Sequence, residues 1–138
     1  MDDPFELPLR ITDADIDGLG HVNNVVYVRW AQDAATAHWE SLASAEDRAA
    51  LAWVAIRHEV DYLHPALPGD DIIAATWVGT ADAVRFERFV EILRARDRKV
   101  LARTRTLWCP INRATGRVTR VNDAVRAVFS RPAPHAAG

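Results

Sequence analysis

The chain has 138 residues, 49% hydrophobic and 26% charged, enough for one domain around a sizeable core. A net charge of -2 excludes a global attraction to nucleic acid or anionic membrane, and no apolar run approaches the roughly 20 residues that span a bilayer. The lone Cys109 excludes an intrachain disulfide; with an acidic start (Met1-Asp2-Asp3-Pro4) that lacks an apolar signal core, it points to a reducing cytoplasm.

A short strand opens the chain and leads into a polar stretch. A long helix begins near Asn24, because Tyr27, Trp30, Ala31, Ala34 and Ala37 recur at spacings of three and four. Arg29, Gln32, Asp33 and Thr36 fall between them, and the small alanines let a helix sit close against a sheet. Asn23 or Asn24 can cap its start. A weaker helical piece covers Ala43 to Leu51.

The period then changes to two. Val54, Ile56, His58, Val60 and Tyr62 alternate with polar or small residues, and Pro65, Pro68 and Gly69-Asp70 make the following turn. Further strands are expected over Ile72 to Thr80, Arg85 to Arg94 and Lys99 to Cys109, the last two joined at Arg96-Asp97-Arg98. Pro110 and Thr115-Gly116 end the sheet. Asn122 caps a short helix with Ala124, Val125, Val128 and Phe129 on its apolar side, and the tail from Ser130 to Gly138 has little to bury and is expected to be disordered. Short turns between successive strands imply an antiparallel sheet, so residues 1–129 read as one α+β domain.

The densest chemistry lies just before the long helix. Asp13, Asp15 and Asp17 alternate, followed by Gly18, Gly20, His21, Asn23 and Asn24. The first N–H groups of a helix have no partner within it and point outward, where they can stabilise charge developing on a carbonyl oxygen. A carboxylate a few residues upstream can attack that carbonyl or activate water. The glycines permit conformations and approaches that a Cβ blocks.

The run Asp15-Ile16-Asp17-Gly18-Leu19-Gly20-His21-Val22-Asn23-Asn24, followed by Tyr27, resembles the D-x-D-x-x-G-H-V-N-N-x-x-Y segment of hotdog-fold thioesterases. These include 4-hydroxybenzoyl-CoA thioesterase-like and acyl-CoA thioesterases and the plant acyl-carrier-protein enzymes. Glu59-Val60-Asp61-Tyr62-Leu63-His64-Pro65, with Gly69-Asp70, resembles the family's second strand and turn. The resemblance implies a hotdog fold, in which a long central helix is wrapped by a curved antiparallel sheet. It also implies hydrolysis of an acyl-CoA or acyl-carrier-protein thioester without a cofactor.

By position, Asp17 matches the catalytic carboxylate, as nucleophile or general base. Asn24 matches the residue whose backbone N–H polarises the carbonyl, and His21 a histidine of the plant members. Those members carry an asparagine where this chain has Leu19. Asn23, Tyr27, His58 and Arg85 are the candidate substrate-binding residues. One subgroup grips the CoA nucleotide with basic residues before the third long strand; from Gly79 to Arg85, only Arg85 is basic here.

Other readings stand beside these. Asp15 is read as a residue that orients the loop and Asp13 as solvated. His58 is also read as a core or interface histidine, and Arg85, Arg88, Arg103 and Arg105 as a solvated strand face. The five tryptophans are read as core or acyl-pocket walls. The spacing of His21, His58 and His64 fits no common metal motif, so no metal is expected. Long edge strands need cover or pairing, and in the resembled family two subunits join their sheets with the site between them, so the resemblance implies a homodimer or homotetramer. Two rival functions use the same fold: a non-catalytic acyl-thioester binder, and a hydratase or dehydratase.

Overall fold

The computed structural model describes residues 4–82 and 84–129. The expected disordered tail, and the side chains of Val128 and Phe129, lie outside the described residues. The chain order is β1 (Phe5–Arg10), a 3-10 turn (Asp13–Asp15), α1 (Asn24–Leu42), α2 (Ala45–Ala50), β2 (Leu51–Tyr62), β3 (Asp71–Ala81), β4 (Phe86–Arg94), β5 (Lys99–Asn112) and α3 (Asp123–Phe129). The strands form one antiparallel sheet in the order β1-β3-β4-β5-β2. One long helix packed on five antiparallel strands is the expected hotdog architecture.

Helix α1 starts where Asn23 accepts the Val25 N–H at 3.0 Å. Its buried face is Val26, Tyr27, Trp30, Ala31, Ala34, Ala35, His38 and Trp39. Ala37 is only half-buried, because steps of about 3.6 residues from Tyr27 arrive at His38. Trp30, Ala31 and Ala34 pack in one cluster with Ile72, Val90, Ile92 and Leu101. Truncating such a core residue to alanine typically costs about 2–5 kcal/mol. A second cluster, around Trp39, Leu51, Phe86 and Val121, takes in Val125 of α3. Ala124, expected beside Val125, is exposed.

Three expectations are corrected. Strand β2 does not bury its apolar set: Val54, Ile56, His58 and Tyr62 are exposed. It is an edge strand whose register with β5 shifts between Ala55 and Arg57. Pro110 does not end the sheet; β5 runs on to Asn112, with Pro110 opposite Trp53. Pairing with β4 stops at Trp108; beyond it that flank of β5 meets only the short bridge Ile111–Val118, where the Pro110 carbonyl accepts the Thr119 N–H at 3.0 Å, so a residue without an N–H breaks no ladder to a long strand. Arg88 is not solvated but 5% exposed, pointing inward from β4.

Candidate active site

Two segments meet at the N-terminus of α1: the loop from Asp15 to Asn23 and the end of β2. Asp15 anchors the loop. Its side chain is buried, its Oδ2 accepts the Thr12 N–H and its Oδ1 the Arg29 guanidinium, both at 2.9 Å. Its carbonyl accepts the Asn23 N–H at 2.8 Å. Burial alone would raise the Asp15 carboxyl, but the Thr12 and Arg29 bonds outweigh it and hold the group below the usual carboxylate range. Asp15 thus orients the loop, as read from the sequence, and Asp13 is exposed.

From this anchor the chain folds back on itself. The Asp17 N–H donates to the His21 carbonyl at 2.8 Å, and the Gly20 N–H to the Asp17 carbonyl at 3.1 Å. Gly20 has φ +76°, a left-handed turn that suits glycine. Inside the turn, Asp17 Oδ1 accepts the N–H groups of Leu19 at 2.9 Å and His21 at 3.2 Å. The half-buried carboxylate is therefore held by backbone donors. Leu19, where the plant enzymes have an asparagine, supplies a main-chain N–H while its side chain is 81% exposed.

At the helix start, the Val25 N–H is taken by the Asn23 side chain and the Val26 N–H by the Asn23 carbonyl. The Asn24 N–H donates to no acceptor among the described residues. Tyr62, at the end of β2, donates its hydroxyl to the Asn24 carbonyl at 2.9 Å. Tyr27 is buried, accepts the Ala66 N–H at 2.8 Å, and meets Tyr62 and Trp30 edge-on. Burial raises its phenol above the ordinary value.

Asp17, His21, Asn23, Asn24 and Tyr27 line one open cavity of about 430 Å³, together with Tyr62, Leu63 and His64. The last three were not among the expected site residues. The second sequence motif contained them, but only the chain's return past the helix start places them there. His58 and Arg85 do not line this cavity. His58 sits on β2, its Nδ1 2.9 Å from Thr106 Oγ1, facing Gln32 of α1; it is exposed rather than in the core. Arg85 is exposed in the turn before β4, its N–H held by Asp82 Oδ1 at 2.7 Å. Among the described residues no cluster of three or more His, Cys, Asp or Glu side chains is placed to hold a metal.

The arrangement pairs a fixed carboxylate with a helix-start N–H on one open cavity. A carbonyl oxygen at the Asn24 N–H would meet the positive end of the α1 dipole, and Asp17 faces the same space.

The family profile described as the thioesterase-like superfamily matches residues 11–129. No curated protein matches the sequence. Among solved structures, a 1,4-dihydroxy-2-naphthoyl-CoA thioesterase from Synechocystis is 22% identical, with a TM-score of 0.79 over 91% of this chain and 95% of its own. A thioesterase from Thermus thermophilus, complexed with coenzyme A and Zn, is 21% identical, with a TM-score of 0.82 over 94% of this chain and 99% of its own. A protein from Staphylococcus aureus in complex with CoA is 17% identical, with a TM-score of 0.81 over 98% of this chain and 89% of its own.

Proposed function

The chain belongs to the thioesterase-like superfamily, and from that premise we propose that it hydrolyses an acyl thioester to free acid and thiol, with Asp17 as nucleophile or general base. The observation that carries this reading is the shared cavity of Asp17 and Asn24: a carboxylate oriented by two N–H groups beside a helix-start N–H that has no acceptor among the described residues. Thioester hydrolysis asks for this pair, since the carbonyl oxygen gains negative charge as its carbon is attacked. His21 lines the same cavity, and in this reading it contacts the substrate or its water. Asn23 and Tyr27 shape the site, Asn23 as helix cap and Tyr27 as wall.

The CoA complexes among the structural relatives support CoA as the thiol carrier. Arg85 is the basic residue available before β4, although it does not line the cavity. Strand β2 is the edge beside the site and leaves Val54 and Ile56 about half exposed. Pairing of two such edges in a homodimer would cover them and wall the open cavity.

The experiment is a panel of acyl-CoAs, varied in chain length and including aromatic acids, scored for thiol release. Turnover of some members supports hydrolysis. Binding of CoA esters without turnover across the panel would instead identify a non-catalytic binder. Hydration of an enoyl-CoA without thiol release would identify a hydratase.

A further inference from the structure

Besides Asp17, the side chains lining its cavity that can act as proton donors are His21, Tyr27, Tyr62 and His64. The Tyr62 proton is committed to the Asn24 carbonyl. Tyr27 is buried, and burial raises its phenol above the ordinary value. The two histidines remain, and they stand on different segments. The backbone of His21 closes the Asp17 turn, its N–H on Asp17 Oδ1 and its carbonyl accepting the Asp17 N–H. His64 follows the end of β2, on the other segment that meets the helix start.

His64 is exposed, yet its backbone is pinned. Its N–H and that of Leu63 both donate to the Leu101 carbonyl, at 3.0 and 2.9 Å, which ties it to β5. Two residues on, the Ala66 carbonyl accepts the Val22 N–H at 3.0 Å and the Ala66 N–H donates to the Tyr27 hydroxyl oxygen at 2.8 Å, which ties the segment to the loop and to α1. Pro65, between them, fixes its own φ and restricts the His64 backbone. The imidazole itself makes no hydrogen bond among the described residues. A fixed backbone thus brings an uncommitted imidazole to the cavity from a segment that does not carry Asp17.

Asp17 poses the chemical problem that this group answers. Its Oδ1 accepts two N–H groups and its Oδ2 none among the described residues, so Oδ2 is the oxygen free to attack. A carboxylic acid such as aspartic ionises near about 3.9 and an alkyl thiol near about 8.5. An intermediate formed by carboxylate attack therefore expels the carboxylate again more readily than a thiolate, unless the sulfur receives a proton as it leaves. Imidazole is the side-chain group suited to give up a proton near neutral pH. A donor on the Asp17 turn competes for the attacking carboxylate; one on the other segment leaves it free.

Resting on the hydrolase reading above, we propose that His64 is the general acid that protonates the departing sulfur. Asp17 Oδ2 bonds to the acyl carbon, and the carbonyl electron pair moves onto the oxygen at the Asn24 N–H. As the carbonyl re-forms, the C–S bond breaks, its electron pair takes the His64 proton, and free thiol leaves. The exposed imidazole regains a proton from solvent. Water then cleaves the acyl–Asp17 anhydride, giving the free acid, the Asp17 carboxylate and a proton to solvent.

The test presents the acyl group turned over fastest in the panel as its CoA ester and as its S-phenyl thioester, whose aryl thiol is far more acidic and needs no proton to leave. Thiol release is followed in a single turnover with the full chain in excess, which isolates the step. His64→Gln, shown folded by circular dichroism, should slow release from the CoA ester at least about 100-fold and from the S-phenyl ester less than about tenfold. His64→Asn makes the same comparison if His64→Gln does not fold. Asp17→Asn should slow both esters alike. The proposal is overturned if the His64 variant releases CoA like the parent, if it slows both esters equally, or if His21→Gln shows the thiol-dependent loss instead. Those outcomes leave the hydrolase reading standing, whereas a parent that releases thiol from no member of the panel removes that reading and the role of His64 with it.

Discussion

The guanidinium of Arg29 stands 2.9 Å from the buried Asp15 carboxylate, so the first turns of α1 grip the loop that carries Asp17. Arg29 is half-exposed and Asp15 is not, so the pair is asymmetric: removing Asp15 leaves a solvated arginine, but also the Thr12 N–H without its acceptor. Asp15→Ala should cost about 1–3 kcal/mol in urea unfolding and lower kcat, because the Asp17 turn loses its anchor. Parent-like stability would show that the loop is held by other contacts.

The same carboxyl carries a pH signature. Its folded value lies below the ordinary 3.8, so the stability it adds is complete above that pH and is lost as pH falls through the lower folded value. Acid unfolding followed by circular dichroism should shift to higher pH in Asp15→Asn.

His38 acts in a different window. Burial, and then the Arg88 charge, hold its folded value at about 4, below the ordinary 6.5, so between these pH values the unfolded chain binds more protons. Stability should therefore fall as pH drops from 6.5 toward 4, by up to roughly 1.4 kcal/mol per pH unit. His38→Gln should flatten that slope in urea titrations at a series of pH values.

Tyr62 should matter through one bond. Tyr62→Phe removes the donor to the Asn24 carbonyl and keeps the ring against Tyr27. A loss of about 3–10-fold in kcat/KM is expected, from a hydrogen bond worth about 0.5–1.5 kcal/mol, with little change in melting temperature. An unchanged kcat/KM would show that β2 does not help to position the helix start.

The β2 edge gives a prediction about assembly. Val54→Arg should shift the protein toward monomer in light scattering and reduce activity, because Val54 is half-exposed beside the open cavity's strand. A monomeric parent with full activity would remove the dimer from the account.

Much of this was legible in the sequence because it depends on local rules. The cap at Asn23, the alanine-rich face of α1, the turn at Gly69 and the cap at Asn122 follow from side-chain chemistry and spacing over a few residues. What escaped depends on tertiary placement. The exposure of β2 follows from its position at the sheet edge and its bulge, neither of which alternation encodes. Arg88 looks like any strand arginine until Thr76 and His38 face it from β3 and α1. The tryptophans divide only in three dimensions: Trp30 is core, Trp39, Trp53 and Trp108 wall a second cavity near the other end of α1, and Trp77 lies 37% exposed, stacked on Phe89. The motif indicated Asp17 and Asn24, whereas Leu19 as a main-chain donor required the folded turn.

The most direct measurement is thiol release from an acyl-CoA substrate by the parent and by Asp17→Asn in parallel, each shown folded by circular dichroism. The account predicts turnover by the parent and a fall of at least about 100-fold in kcat for Asp17→Asn, since an amide cannot serve as base or nucleophile. Parent-like turnover by a folded Asp17→Asn would contradict it.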